Sequence, residues 1–230
     1  MNRWEFDKFA DEYRQTLAEK VAGSGEAPEF FAEYKIADVA TFSLSAGVRP
    51  TKVLDFGSGV GSSIPYFKKY FPEAKLACAD VSSKSLEIAA ARFPDQASFA
   101  RIEGEKLPFE DGSFDIIFSA CVFHHIPHEE HSIWLNECLR VAMPGAILAV
   151  FEHNPLNPLT VKVVNSCPFD ENARLITARS FKQRIARAGW SKPERRYRIF
   201  FPKILAPLRP LERLLVNIPL GAQYVIYARA

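Results

Sequence analysis

Three glycines at alternate positions follow a short apolar run in the segment VLDFGSGVG, residues 53–61. Glycine has no side chain, so such a loop brings a bound ligand close to the backbone. Dinucleotide-binding loops use the spacing GxGxxG and place a pyrophosphate at a helix N-terminus. Here Asp55 lies two residues before the first glycine, and its carboxylate would repel a pyrophosphate. The loop therefore favours a ligand with positive charge at this point, such as an ammonium or sulfonium group.

Two further acidic positions follow apolar runs. Asp80 ends the run KLACAD, where a carboxylate can accept hydrogen bonds from both hydroxyls of a ribose. Glu103 and Gly104 follow a third run and precede EKLPFEDGSFD, and an acceptor there can bind the amine and ring edge of adenine. Together with the glycine loop, these positions predict a site for an adenosine that carries a cationic amino-acid tail.

A sheet must bring these strand ends together. Short apolar runs alternate with helical segments along the chain, which indicates parallel strands joined by right-handed crossovers. The predicted strands are 52–56, 75–80, 97–102, 114–123, 146–153, 195–201 and 223–230. The predicted fold is α/β: a Rossmann-like, doubly wound, mostly parallel seven-stranded sheet with helices on both faces and an N-terminal helical segment. Ligands bind such sheets beyond the carboxyl ends of the strands.

The length of 230 residues and an apolar content of 48% predict a single domain. Within it we expect a helical cap at 1–50 and a cofactor-binding core at 51–153. Two proline-punctuated apolar segments, 154–177 and 202–221, are too long for ordinary connections. They are predicted to form a lid over the substrate, with packing in the core as the alternative.

Charge and cysteine usage limit the location and the partners. The net charge is only +2 and the basic residues are spread along the chain, which disfavours nucleic acid as a partner. No uninterrupted apolar run approaches the roughly 18 residues of a membrane span, and the charged start lacks the pattern of a signal peptide. The four cysteines lack CxxC spacing, which indicates a reducing interior. A cytoplasmic protein is therefore predicted.

At this point the chain resembles a known family. The motifs VLDFGSGVG, ACADVSSKSLEIAAARF, IEGEKLPFEDGSFDIIFSACVFHHIPH and LNECLRVAMPGAILAVFEH, over about residues 50–153, are similar to those of class I S-adenosylmethionine-dependent methyltransferases. The resemblance is to the small-molecule type called methyltransferase domain 11 or 12, and it implies S-adenosylmethionine as the cofactor. The cofactor-binding residues that it implies are Asp55, Gly57, Gly59, Gly61, Asp80, Val81, Glu103, Gly104, Ser119 and Ala120.

The predicted reaction is in-line SN2 transfer of the methyl group to a small molecule at oxygen. The positive sulfur already activates the methyl carbon, so the enzyme must align the reacting atoms and exclude water. A hydroxyl nucleophile favours a base, and histidine suits that role near neutral pH. His125, after the fourth strand, and Glu152 and His153, at the end of the fifth, are the predicted catalytic residues. The alternative for His125 is a histidine that fixes the loop by hydrogen bonds, and the alternative for Glu152 is a carboxylate that holds a backbone amide or a lysine.

Substrate contacts are predicted for Tyr13, Tyr34, His124 and Phe169. Tyr13 matches the tyrosine of the family's opening pattern F-D-x-x-A-x-x-Y, with helix packing as its alternative. Arginines near the C-terminus suggest a small-molecule acceptor that has both apolar and anionic parts; these are Arg195, Arg196, Arg198, Arg209 and Arg213. No metal is predicted, because Cys121, His124 and His125 lie close together without a distant fourth ligand.

Rival functions remain open. One is a nicotinamide-dependent reductase, which the glycine spacing and Asp55 disfavour. A second is a non-catalytic cofactor-binding subunit, and a third is a methyltransferase for macromolecules. A fourth is a peripheral membrane protein that uses ILAPLRPLERLL, residues 204–215, although prolines interrupt that helix. The oligomeric state is not predicted.

Overall fold

A computed structural model describes residues 13–230, apart from the side chains of Tyr13, Arg14 and Phe169. Two helices precede the sheet: α1 spans Tyr13–Val21 and α2 spans Pro28–Ser45, with a 3-10 turn at Ala22–Ser24 between them. Proline is the first residue of α2, where its missing N–H removes no helical hydrogen bond. The two helices form the N-terminal helical segment that was expected.

Seven strands form one sheet. They are β1 Lys52–Phe56, β2 Lys75–Asp80, β3 Ser98–Arg101, β4 Phe114–Ala120, β5 Ala142–His153, β6 Ser191–Arg198 and β7 Gln223–Arg229. Their order across the sheet is β3-β2-β1-β4-β5-β7-β6, and only β7 runs antiparallel to its neighbours. The predicted fold class is therefore confirmed. The strand order reverses between β1 and β4, which opens a crevice beyond their carboxyl ends.

Helices cover both faces of this sheet. They are α3 Ile64–Tyr70, α4 Ser83–Arg92, α5 His131–Val141, α6 Pro158–Asn165, α7 Ala178–Arg187 and α8 Glu212–Leu215. Short 3-10 segments lie at Phe123–His125, Pro168–Asp170 and Lys203–Leu211. Among the described residues, the helices are all too short or too polar to cross a bilayer.

Successive strand residues pack into different cores because their side chains alternate across the sheet. Leu54 lies in one core with Trp134 of α5 and Phe181 of α7, whereas Val53 lies in the other with Ile36 of α2. Both faces of the sheet are thus buried, which explains why the central strands are continuous apolar runs rather than alternating apolar and polar residues. Polar groups that follow these strands are exposed to ligands only at the strand ends.

Candidate active site

A cavity of about 290 Å³ lies at the carboxyl ends of β1, β2 and β4. Residues of α2, of the glycine loop and of the segment after β4 also line it. Its lining includes six residues that the sequence predicted for the cofactor: Asp55, Gly57, Gly59, Asp80, Val81 and Ala120. The reversal of strand order therefore gathers these residues from three strands into one site.

The glycine loop needs glycine for two different reasons. Gly57 and Gly61 have φ of +76°, and a Cβ would lie 2.3 Å from Val122 Cγ2 and 2.7 Å from Ile64 Cδ1, respectively. Those positions exclude any side chain. Gly59 has φ of +51°, but a methyl group there would meet no atom within 4 Å. The Gly59 backbone therefore faces open space that a ligand can occupy.

Asp80 fixes the glycine loop to β2. Its Oδ2 accepts a hydrogen bond from the Gly59 N–H at 2.8 Å, and its Oδ1 accepts one from the Ser82 N–H at 2.9 Å. Ser82, not Asp80, caps α4, since the Ser82 hydroxyl accepts from the Ser85 N–H at 3.0 Å. A carboxylate oxygen can accept more than one hydrogen bond, so Asp80 keeps acceptor capacity for ligand hydroxyls.

Asp55 is a buried carboxyl group in the cavity wall whose Oδ2 has no hydrogen-bond partner among residues 13–230. Burial and the negative charge of Asp80 raise the pKa of Asp55 to about 8, against the opposing effect of Lys35. Buried polar atoms without a partner are rare in folded proteins and require an explanation. A cationic group of a bound ligand would supply that partner, so the residue fits the charge that the sequence predicted for the ligand.

Several predicted cofactor residues lie elsewhere. Glu103 is exposed and pairs with Arg101 at 3.1 Å, and neither it nor Gly104 lines the cavity. Ser119 is buried with no partner for its hydroxyl, and Gly61 packs against Ile64 behind the loop. The cofactor roles of these four residues stay predictions. The predicted substrate contacts of Tyr13 and Phe169 depend on side chains outside the described part of the chain.

Glu152 is buried and supports the loop after β4. Its Oε1 accepts hydrogen bonds from the N–H groups of Val122 and Phe123 at 3.1 and 2.7 Å, and its Oε2 pairs with His124 Nδ1 at 2.6 Å. Burial raises the pKa of Glu152, but His124 outweighs it and the pKa lies below its usual value. Glu152 does not line the cavity. Glu152 thus holds two backbone amides, as its alternative role expects, and its catalytic role stays a prediction.

His124 lies between two carboxylates. Opposite its contact with Glu152, His124 Nε2 is 3.3 Å from Asp170 Oδ1. Burial lowers the pKa of His124, yet these two carboxylates raise it well above its ordinary value. His124 is therefore buried between two carboxylates that favour its protonated form.

His125 contacts the same aspartate. Its Nε2 lies 3.4 Å from Asp170 Oδ1, and both residues line the cavity. Burial and the neighbouring His124 charge lower the pKa of His125 to about 3, so its ring is neutral at physiological pH. The sequence analysis missed Asp170, which comes from the predicted lid segment 154–177. Its only signal was a carboxylate within CPFDEN, next to a largely apolar stretch.

Donor atoms of His124, His125 and Asp170 all lie within 4.8 Å of one another, close enough to bind one cation. The sequence analysis weighed Cys121 in place of Asp170 and predicted no metal. Asp170 is the distant ligand that was lacking there.

Cys121 has a left-handed backbone with φ of +59° and lines the cavity. Its Sγ is 3.9 Å from Lys35 Nζ and 3.8 Å from Gln223 Nε2. Burial raises the pKa of the thiol, but Lys35 and His153 outweigh it and lower the pKa to about 7. His153 and Tyr34 both contact Gln223 rather than line the cavity. His153 and Tyr34, two predicted site residues, are thus connected to the cavity wall indirectly, through Gln223 and Cys121.

Three of the five arginines that suggested an anionic acceptor form ion pairs outside the cavity. Arg196 pairs with Glu194 at 2.6 Å, Arg198 with Asp38 at 2.8 Å and Arg209 with Glu26 at 2.6 Å. None of the five arginines named above lines the cavity. They therefore give no support to an anionic group on the acceptor. Of the two predicted lid segments, 154–177 contributes to the cavity wall and 202–221 does not.

Comparison with known protein families agrees with this geometry. Residues 54–150 match the model of a methyltransferase domain. A ubiquinone/menaquinone biosynthesis C-methyltransferase of Ectopseudomonas mendocina is 34% identical over 137 residues, which cover 56% of this chain and 52% of that protein. A malonyl-[acyl-carrier protein] O-methyltransferase of Methylococcus capsulatus is 29% identical, over 75% of this chain and 66% of that one. The chain spans about half the length of the first curated relatives it matches.

Solved structures share the fold. A SAM-dependent methyltransferase of Thermotoga maritima, described as a possible histamine N-methyltransferase, superposes with a TM-score of 0.67 and 18% identity over 99% of both chains. Human N-acetylserotonin methyltransferase in complex with SAM superposes with a TM-score of 0.61 and 18% identity, over 84% of this chain and 51% of that one. At such identities the likeness establishes the architecture alone.

Proposed function

Since the chain belongs to the class I S-adenosylmethionine-dependent methyltransferases, we propose that it transfers the methyl group of S-adenosylmethionine to a small-molecule acceptor. The observation that carries the proposal is the buried Oδ2 of Asp55, which no described residue hydrogen-bonds, beside the open Gly59 backbone. A cationic methionine moiety satisfies Asp55 there. The ribose hydroxyls then reach Asp80, and Val81 lies next to it on the cavity wall.

The proposed acceptor atom is a hydroxyl oxygen. As the new C–O bond forms and the C–S bond breaks, positive charge passes from sulfur to the oxygen, which becomes a strongly acidic oxonium. A neutral His125 accepts that proton even though its low pKa makes it a weak base at rest. Asp170, 3.4 Å away, stabilises the imidazolium that results. The products are the methyl ether, S-adenosylhomocysteine and a proton.

Calorimetric titration tests the cofactor. S-adenosylmethionine and S-adenosylhomocysteine are titrated into wild type, Asp55→Asn and Asp80→Asn. We expect both substitutions to weaken S-adenosylmethionine binding about tenfold or more, because each removes a charge-assisted contact. Asp111→Asn is the matched control, because Asp111 is exposed and pairs with Arg140 away from the cavity. Absence of binding by folded wild type would overturn the proposal.

Transfer to carbon is the second candidate function. The first curated relatives are named as C-methyltransferases, whereas another is named as an O-methyltransferase. The two outcomes are separated with S-adenosylmethionine that carries a ¹³C methyl group. The chemical shift of the labelled methyl in the product shows whether it is bonded to oxygen or to carbon. A carbon-bound methyl would mean that the proton accepted by His125 comes from the methylated carbon rather than from a hydroxyl oxygen.

A further inference from the structure

Segment 202–221 exposes large apolar side chains and directs polar ones toward the protein, which is the opposite of an ordinary surface helix. Large apolar residues recur every three or four positions, at 204, 208, 211, 214 and 218, which places them on one helical face. That face is turned to solvent: the side chain of Ile204 is 87% exposed and that of Leu214 71% exposed. The exposed apolar residues of the segment are Ile204, Leu205, Leu208, Leu211, Leu214, Ile218 and Leu220.

Polar side chains of the same segment point into the protein. Glu212 Oε1 accepts hydrogen bonds from the N–H groups of Phe200 and Phe201 at 3.0 and 3.1 Å. Arg209 Nη2 donates to Glu26 Oε1 at 2.6 Å. These contacts fix the orientation, so the apolar residues cannot turn inward without breaking them. Water disfavours this arrangement, and an apolar medium outside the protein favours it.

Helix α6 extends the same surface. Asn157 Nδ2 donates to the Leu220 carbonyl at 2.7 Å, and the Thr160 hydroxyl donates to the Ala222 carbonyl at 2.9 Å. Next to these contacts Leu159 is 73% exposed, and Leu156 and Val163 are exposed as well. We call the ten exposed residues of the two segments the apolar face. Exposed apolar side chains grouped in this way mark a contact surface, whereas scattered ones do not.

Within the two stretches that form the apolar face, the exposed charges are all positive. The exposed charged residues of 154–166 and 202–221 are Lys162, Lys203 and Arg213. Glu212 is the only acidic residue in these two stretches, and its carboxylate faces inward. Apolar side chains rimmed by cations match acyl chains beneath anionic headgroups. A protein partner with an acidic surface would pair with the cations, but it would leave the exposed side chains of the apolar face without apolar contacts.

We propose that the apolar face binds the surface of an anionic lipid bilayer, with its leucines and isoleucines in the headgroup region and Lys203 and Arg213 at the phosphates. The binding itself does not depend on the proposed methyl transfer. Asn154, directly after β5, donates to the Gly221 carbonyl at 2.8 Å, so the face adjoins the carboxyl edge of the sheet. That placement favours an amphiphile held in the lipid as the methyl acceptor, a step that rests on the proposed function.

Vesicle flotation tests the proposal. The full chain is mixed with vesicles of phosphatidylcholine that contain about a third phosphatidylglycerol, at low and high salt. Wild type is expected to float with the vesicles, less so at high salt because the phosphate contacts are screened. Ile204→Asp together with Leu214→Asp should reduce the bound fraction about tenfold or more, since each removes an inserted side chain and adds a negative charge. Lys203→Glu should weaken binding to anionic vesicles specifically.

Leu44→Asp is the matched control. Leu44 is 79% exposed near the C-terminus of α2, which leads to the amino end of β1. This variant should float as wild type does. Failure of wild type to float, or equal loss in the control, would overturn the proposal. So would a dimer in sedimentation that the double variant abolishes, because a second copy would then cover the face. Calorimetry with S-adenosylmethionine on the same variants separates this outcome from failure of the proposed function.

Discussion

His124 Nδ1 and Glu152 Oε2 lie 2.6 Å apart in the buried loop after β4, and this pair connects the end of β5 to the cavity wall. Glu152 also holds two backbone N–H groups of the loop, while His124 extends the connection to Asp170. The loop that carries His125 thus contacts two carboxylates, Glu152 of β5 and Asp170 of a distant segment. The geometry of the loop depends on both carboxylates.

Glu152→Gln is expected to destabilise the fold by about 3–5 kcal/mol, because it removes the nearer of the two carboxylates that face the buried His124. The amide oxygen can still accept from both backbone N–H groups, so the loop contact itself persists. Urea unfolding at neutral pH measures the change. Glu194→Gln serves as the control, since its ion pair with Arg196 is partly exposed and should contribute less than about 1 kcal/mol. Equal effects would mean that the buried pair has no special role.

The Asp55 carboxyl should make stability depend on pH. Its pKa of about 8 in the folded state lies above the roughly 3.9 of an unfolded aspartate, so the folded state binds the proton more tightly. The stability that this bound proton contributes is fully present below about pH 4 and is lost as the pH rises toward 8. Wild type should therefore lose stability relative to Asp55→Asn across this window, as thermal unfolding would measure. A constant difference between them would contradict the prediction.

Cofactor binding should release a proton from Asp55 near neutral pH. A cationic ligand favours the ionised carboxylate, so affinity for S-adenosylmethionine should rise as the pH approaches 8. Titrations at pH 7 in two buffers of different ionisation enthalpy give the number of protons released. We expect a value between zero and one in wild type and close to zero in Asp55→Asn. The same release from the variant would assign the proton to another group.

Cys121 should react with iodoacetamide through its thiolate. The rate should reach half its maximum near pH 7, because Lys35 and His153 lower the thiol pKa to about that value. Lys35→Gln should move this midpoint upward and slow the reaction at pH 7. Mass spectrometry of the labelled peptides should find Cys78 and Cys138 unmodified, since burial raises their pKa. Bound S-adenosylmethionine should protect Cys121 if both occupy the one cavity.

Removal of metal distinguishes the two roles of the histidine cluster. If His125 accepts a proton as proposed, dialysis against a chelator should leave methyl transfer unchanged. His125→Gln should lower kcat tenfold to a thousandfold while binding of S-adenosylmethionine stays near that of wild type. His128→Gln is the control, because His128 is outside the cavity wall and bonds the Arg174 carbonyl. Loss of activity on chelation, restored by zinc, would instead identify the cluster as a metal site.

The sequence by itself determined the architecture and the cofactor half of the site. Continuous apolar runs such as KVLDF indicate strands buried on both faces, and parallel strands bring their carboxyl ends to one edge. Asp55 lies one residue before the end of β1, Gly59 follows β1 and Asp80 ends β2, so their meeting in the cavity follows from local pattern and sheet geometry. The conformations at Gly57 and Gly61 follow likewise from residue type.

Only the tertiary structure decided the acceptor half of the site. Asp170 lies 45 residues beyond His125, in a segment whose pattern fixes neither its path nor its direction, so their contact depends on how the chain folds back. In the sequence Glu152 is a carboxylate near the end of a predicted strand, but in the structure it accepts hydrogen bonds from backbone N–H groups of the neighbouring loop. The stripe at 204–218 predicts a lid or core packing in the sequence, because periodicity shows that residues share a face and not which way that face turns. Glu212 and Arg209 settle that direction through contacts that join separate parts of the chain.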